Sequence, residues 1–93
     1  MKNKEVISNF LQKKNAKTLN LYTTIEFDKF VLVNYETPIA YIQGNDLWIN
    51  QCKYSQTTSK IQGQLNYQAS QTNYNIMYYN EGKTNCKGGA RYE

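Results

Sequence analysis

Thr37-Pro38-Ile39-Ala40-Tyr41-Ile42-Gln43-Gly44-Asn45-Asp46-Leu47-Trp48-Ile49-Asn50 is the stretch that decides the fold. Residues 39–42 and 47–49 are two short apolar runs rich in strand formers. Between them, Gly44-Asn45-Asp46 supplies the positive φ that a tight reversal requires. The segment therefore reads as a β-hairpin.

Downstream of the hairpin, residues 54–59 (Tyr-Ser-Gln-Thr-Thr-Ser) are dense in hydroxyls and read as a helix start. Thr57, Thr58 or Ser59 is the expected N-cap, because a short side-chain oxygen can accept from an orphan amide of the first turn. Ile61, Leu65 and Ala69 then form an i, i+4, i+8 stripe. Gly63 lies inside that helix and costs roughly 1 kcal/mol against alanine, so the helix depends on tertiary packing. Residues 74–79 read as a last strand. Residues 82–93 hold three glycines and no hydrophobic period, which predicts a mobile tail and leaves residues 1–81 as the domain.

Upstream, residues 30–33 (Phe-Val-Leu-Val) read as a buried strand that ends through residues 34–37 and the sole proline, Pro38. From Thr18 on, Leu19, Leu21 and Thr23 alternate with Asn20, Tyr22 and Thr24, the period-2 pattern of another strand. Residues 26–29 make a charged corner. At the start, Asn3 is placed to cap a helix running to about Lys14, with Val6, Ile7, Phe10 and Leu11 on one face. The expected architecture is α+β: a small antiparallel sheet of three to four strands, with the N-terminal helix and a second helix packed on it.

The chain has 93 residues, enough for one domain and too few for two. Its core must be thin, since small chains bury a smaller share of their surface. No run approaches the roughly 20 apolar residues that span a bilayer. Residues 6–11 are interrupted by Ser8 and Asn9 and do not make a signal-peptide core. A cytoplasmic location in a bacterial host cell is expected, with Cys52 and Cys86 as reduced thiols. Residues 1–17 carry five lysines and one glutamate, so the whole formal charge of +4 lies there. The rest of the chain is electrically balanced.

The catalytic inventory is nearly empty. Histidine is absent, which removes the commonest general base and metal ligand. Two distant cysteines without histidine do not make a zinc site. Gly88-Gly89 is followed by Ala90-Arg91, not by the Lys-Ser/Thr of a phosphate loop. Glu26 and Asp28 are the one close acidic pair, but their place beside Lys29 reads as a solvated turn. Ser59 and Lys60 are adjacent on a helix and so do not face each other. Neither enzyme activity, a metal nor a cofactor is expected.

Two features are left to carry binding. Lys4, Lys13, Lys14 and Lys17 on or after the first helix could neutralise phosphates or acidic groups with salt-dependent affinity. Four apolar residues are few for a helix lying in a membrane surface, and the plainer reading is that the lysines solvate the outer face. Tyr22, Tyr35, Tyr41, Trp48 and Tyr54 lie on or beside strands, with Lys53 and Lys60 nearby. Such aromatics can stack exposed bases, serve as a protein–protein hot spot, or simply pack the sheet. The only arginine is Arg91 in the tail, so base recognition lacks its best residue. A protein surface fits the aromatics better.

Thr37-Pro38-Ile39-Ala40, Leu47-Trp48-Ile49-Asn50 and Tyr54-Ser55-Gln56-Thr57-Thr58-Ser59-Lys60 together resemble a family of small, uncharacterised bacteriophage proteins. The resemblance covers residues 37–62, and its distinctive part is Tyr-Ser-x-Thr-Thr-Ser-Lys. Relatives often carry His-Gln after the lysine, where this chain has Ile61-Gln62, so any role of that histidine is missing here. A helix start with hydroxyls and Lys60 could also hold an anion, though the motif reads first as a cap. The resemblance implies a phage origin. Joined to the absence of catalytic groups, it gives the expectation of a phage-encoded protein that blocks a host protein by contact, such as a CRISPR–Cas defence component. A nucleic-acid binder is the alternative, and a self-assembling homo-oligomer of structural or accessory role is the second.

Overall fold

Three two-residue reversals fold residues 21–50 into a four-stranded meander. The computed structural model describes residues 2–52 and 56–79. β1 (Leu21–Glu26), β2 (Lys29–Asn34), β3 (Thr37–Gln43) and β4 (Asp46–Asn50) pair antiparallel in sequence order. A second helix, α2 (Gln56–Ala69), then carries the chain back so that β5 (Asn75–Tyr79) lies parallel to β4. The α+β class is as expected. The sheet has five strands and is mixed rather than purely antiparallel, because the last strand is reached through a helix and not a hairpin.

The three reversals share one backbone device. Glu26 pairs Lys29, Asn34 pairs Thr37, and Gln43 pairs Asp46. The first residue of each two-residue loop has positive φ: Phe27 at 57°, Tyr35 at 58° and Gly44 at 63°. Positive φ at the first loop position belongs to the turns that match strand twist, normally with glycine there. Only Gly44 announces itself in the sequence. β1 also starts at Leu21, three residues after the expected start, and Leu19 is fully exposed instead of strand-bound.

Pro38 does not end a strand; it lies inside β3. The pairing shifts between Leu32 and Val33, so that Leu32 faces Ala40 while Val33 faces Pro38, leaving Ile39 as an extra residue. A bulge tolerates a residue that cannot donate to the ladder. It also lets the adjacent Ile39 and Ala40 both be buried in the core.

The first helix, α1 (Asn3–Leu11), buries Val6, Ile7, Phe10 and Leu11, the four residues expected. Its ends differ from expectation. Lys2 is the N-cap residue, and Glu5 Oε1 accepts from the Lys2 backbone N–H at 2.7 Å. Asn3 lies within the helix, and its Oδ1 accepts instead from the Thr18 hydroxyl at 3.0 Å. Nor does the helix reach Lys14. Lys13 adopts φ 60°, its N–H donates to Phe10 O and the Lys14 N–H donates to Asn9 O. This is a Schellman stop, with lysine where glycine is usual.

Both helices lie on one face of the sheet. Ile61, Leu65 and Ala69 of α2 join α1, Leu21, Leu32, Ile42, Leu47 and Ile49 in a single buried cluster. The helices are linked at 3.1 Å by Gln68 Nε2 donating to Lys4 O. Tyr74, just before β5, donates its hydroxyl to Leu11 O at 2.8 Å, and partial burial pushes its ionisation upward. α2 is already helical at Gln56, so Thr57, Thr58 and Ser59 are inside it and none is the N-cap. Thr58 instead turns inward and donates to Asn34 Oδ1. Gln62 spans to the end of β4, its Nε2 donating to Asn50 O at 2.8 Å and to Cys52 O at 2.9 Å. The expected tail, residues 82–93, lies outside the described residues.

Two substitutions follow from these contacts. Gln62→Leu keeps the volume but strips two buried carbonyls of a donor, and urea denaturation should show a loss of about 2–3 kcal/mol. Lys13→Gly relieves left-handed strain at the Schellman position, and the same measurement should show a gain of about 1 kcal/mol.

Candidate functional site

Strand alternation sorts the aromatic side chains by face. Leu47 and Ile49 of β4 enter the core, which sends Trp48 to the sheet face that neither helix covers. Tyr41 is its cross-strand partner, and the two rings stack with centroids 6.0 Å apart. Tyr79 of β5 lies on the same face, 5.7 Å from Tyr41 and tilted. Lys29 of β2 places its ammonium 4.8 Å from the Tyr41 ring centroid. A cation over an aromatic face in this range is attractive. The result is a half-buried cluster of three rings and one lysine, built from four strands. Sequence reading singled out Tyr41 and Trp48. It missed Lys29 and Tyr79, whose signal was the same alternation carried into neighbouring strands.

The other candidates are scattered. Lys4 and Lys60 are exposed on different helices. Lys13, exposed, donates to Gly44 O at 3.3 Å. Lys14 and Lys17 are exposed after α1. Tyr35 sits in the β2–β3 turn, its hydroxyl accepting from Asn20 Nδ2 at 3.3 Å. Tyr54 lies outside the described residues. The structure thus brings Tyr41 and Trp48 together and does not gather the lysines around them. Glu26 and Asp28 straddle the β1–β2 turn, and Asp28 accepts from Gln43 Nε2 at 3.0 Å. That hydrogen bond holds the Asp28 carboxyl below its ordinary range.

A second region lies along β1, an edge strand. Residues 16–18 cover the first half of that edge: Lys17 bridges Tyr22, and the Thr23 N–H donates to Ala16 O. By strand alternation the next outward-facing backbone group is Ile25, beyond the reach of residues 16–18. Ile25 is 64% exposed and Phe27, in the following turn, 97% exposed. They line a shallow surface cavity of about 310 Å³ together with Lys13, Asn15, Asp28, Lys29 and Phe30. Phe27 makes no packing contact that would repay its strained backbone, and sequence reading passed over it because it expected only a charged corner there.

Cys52, two residues beyond β4, is fully buried and disulfide-bonded. This corrects the expectation of a reduced thiol at that position. Pairing depends on the separation and direction of the Cβ atoms, which sequence spacing does not report. Cys86 lies outside the described residues. Among the described residues no group of three or more potential ligands gathers for a metal ion, and no helix there is long and apolar enough to cross a membrane.

A family model matches residues 3–81. The chain belongs to that family, a family of unknown function, DUF8033. No curated protein and no solved structure matches the chain. The family assigns no activity, so the geometry of these DUF8033 residues carries the functional argument. The state of Cys52 is directly checkable. Alkylation of the denatured protein followed by peptide mass spectrometry should leave Cys52 unmodified until a reductant is added.

Proposed function

We propose that the domain is a non-catalytic binding protein that seats Phe27, with Ile25 beside it, in an apolar pocket of a protein partner. One observation carries this reading. Phe27 is almost wholly exposed and holds φ 57°. An aromatic in that conformation costs about 1–3 kcal/mol, and such strain tends to collect at functional positions. Lys13 and Lys29 at the rim would meet acidic groups around the pocket, in keeping with the polar rim of protein interfaces. The open half of the β1 edge adds backbone groups to which an extended partner segment could pair.

In its fullest form the proposal takes the partner to be a host protein, such as a CRISPR–Cas defence component, blocked by a phage-encoded chain. The resemblance of residues 37–62 to small phage proteins supports that form, as does the lack of histidine. A second reading, single-stranded nucleic acid, is favoured by Tyr41, Trp48, Tyr79 and Lys29 on one sheet face. Successive bases stack on such rings beside a cation. A third takes the partner to be another copy of this chain.

Phe27→Gly separates the first reading from a merely structural role. Glycine removes the turn strain, so its melting temperature should rise while partner binding falls. In a pull-down from host lysate, the wild-type chain should retain a stoichiometric protein that Phe27→Gly loses. Equal retention by both, or retention of nothing, would defeat the proposal. Binding of single strands that weakens steeply with salt would favour the second reading. A dimer by light scattering that Phe27→Gly dissociates would favour the third.

A further inference from the structure

A different part of the molecule holds a cleft of about 290 Å³ between α2 and the ends of β4 and β5. It is lined by Ile49, Asn50, Gln51, Ser59, Gln62, Gly63, Asn66 and Tyr78, none of them charged. Its walls are fixed. Gln62 is held by the Asn50 and Cys52 carbonyls, and the half-exposed Tyr78 donates its hydroxyl to Asn66 Oδ1 at 3.2 Å. By contrast, the partly buried Gln51 amide and Ser59 hydroxyl make no side-chain hydrogen bond among the described residues. Both add a donor and an acceptor to the cleft wall.

Gly63 makes the cleft more than a surface irregularity. It sits inside α2 with ordinary helical φ, where glycine costs about 1 kcal/mol. A Cβ built there would meet nothing within 4 Å. Neither backbone conformation nor close packing explains the glycine. What it does is leave the helix wall of the cleft open.

We infer that this cleft binds a neutral sugar, as one pyranose unit. The described lining residues offer an ionic ligand no counter-charge, whereas their amides and hydroxyl can both donate to and accept from vicinal hydroxyls. Tyr78 adds the aromatic surface against which the C–H face of a sugar ring packs. The volume lies at the small end of ligand pockets, which run from about 300 to 1,000 Å³, and so suits a single ring. This site is independent of Phe27, at the far side of the sheet from β1.

Amide-resolved NMR titration of the full chain tests it, with glucose, galactose, mannose and N-acetylglucosamine as probes and uridine as the nucleobase control. At least one sugar should shift Gln51, Ser59, Gly63, Asn66 and Tyr78 saturably, with uridine silent. Oligosaccharides of that sugar, run in parallel, distinguish a free monosaccharide from the end of a polymer as the source. Gly63→Leu should fill the cleft and weaken binding at least ~10-fold while its melting temperature holds or rises. Should that variant fail to fold, Ser59→Ala should weaken binding about 5-fold through one lost hydrogen bond. The inference is overturned if no sugar shifts the cleft residues, if uridine alone saturates them, or if binding survives Gly63→Leu unchanged.

Discussion

The Gln62 carboxamide is the contact on which the remaining architecture turns. Where the meander ends, the Asn50 and Cys52 carbonyls lie against the inner side of α2. Gln62 reaches from α2 and supplies both donors. A buried carbonyl without a donor costs about 1–3 kcal/mol, so this one side chain fixes where the helix sits against β4. A second polar contact repeats the logic two strands away on β2, where Thr58 donates to Asn34 and Asn34 donates to Asn20 O. Two hydrogen-bonded amides in the interior give the helix a single docking position that an all-apolar face would not specify.

Much of this was legible in the sequence. The Gly44-Asn45 hairpin, the apolar face of α1, the Ile61–Leu65–Ala69 stripe and the final strand all follow from period and turn chemistry. What escaped has identifiable causes. Phe27 and Tyr35 occupy turn positions normally held by glycine, so residues 26–29 and 34–37 were legible as reversals while their backbone conformation was not. The bulge at Ile39 is a pairing property of two strands and leaves no trace in one. The direction of β5 follows from the α2 crossover, and Gln62 is a polar residue whose burial nothing in its neighbourhood announces. Among the candidate residues, Tyr41 and Trp48 were visible as strand aromatics. Lys29 and Tyr79 join them only once strand order is known.

Three positions stand apart because their local conformation or residue type weakens the fold. Lys13 and Phe27 hold left-handed backbone, and Gly63 opens a helix wall that has space for a side chain. Native sequences are locally consistent with their fold except where another demand intervenes. Lys13 has a modest compensation in its bond to Gly44 O. Phe27 and Gly63 have none, and they sit on opposite sides of the molecule. These two positions lie at the two surfaces proposed for binding.

The parallel placement of β5 has a kinetic side. The four-strand meander closes through neighbouring turns and can assemble from contacts near in sequence. β5 must wait for α2 to cross over, and that longer closure has to be met before its ladder rewards it. The last strand therefore joins a preformed sheet, and it should also be the first to leave. Amide exchange along β5 would then report a lower local opening free energy than along β2 and β3, which are flanked on both sides.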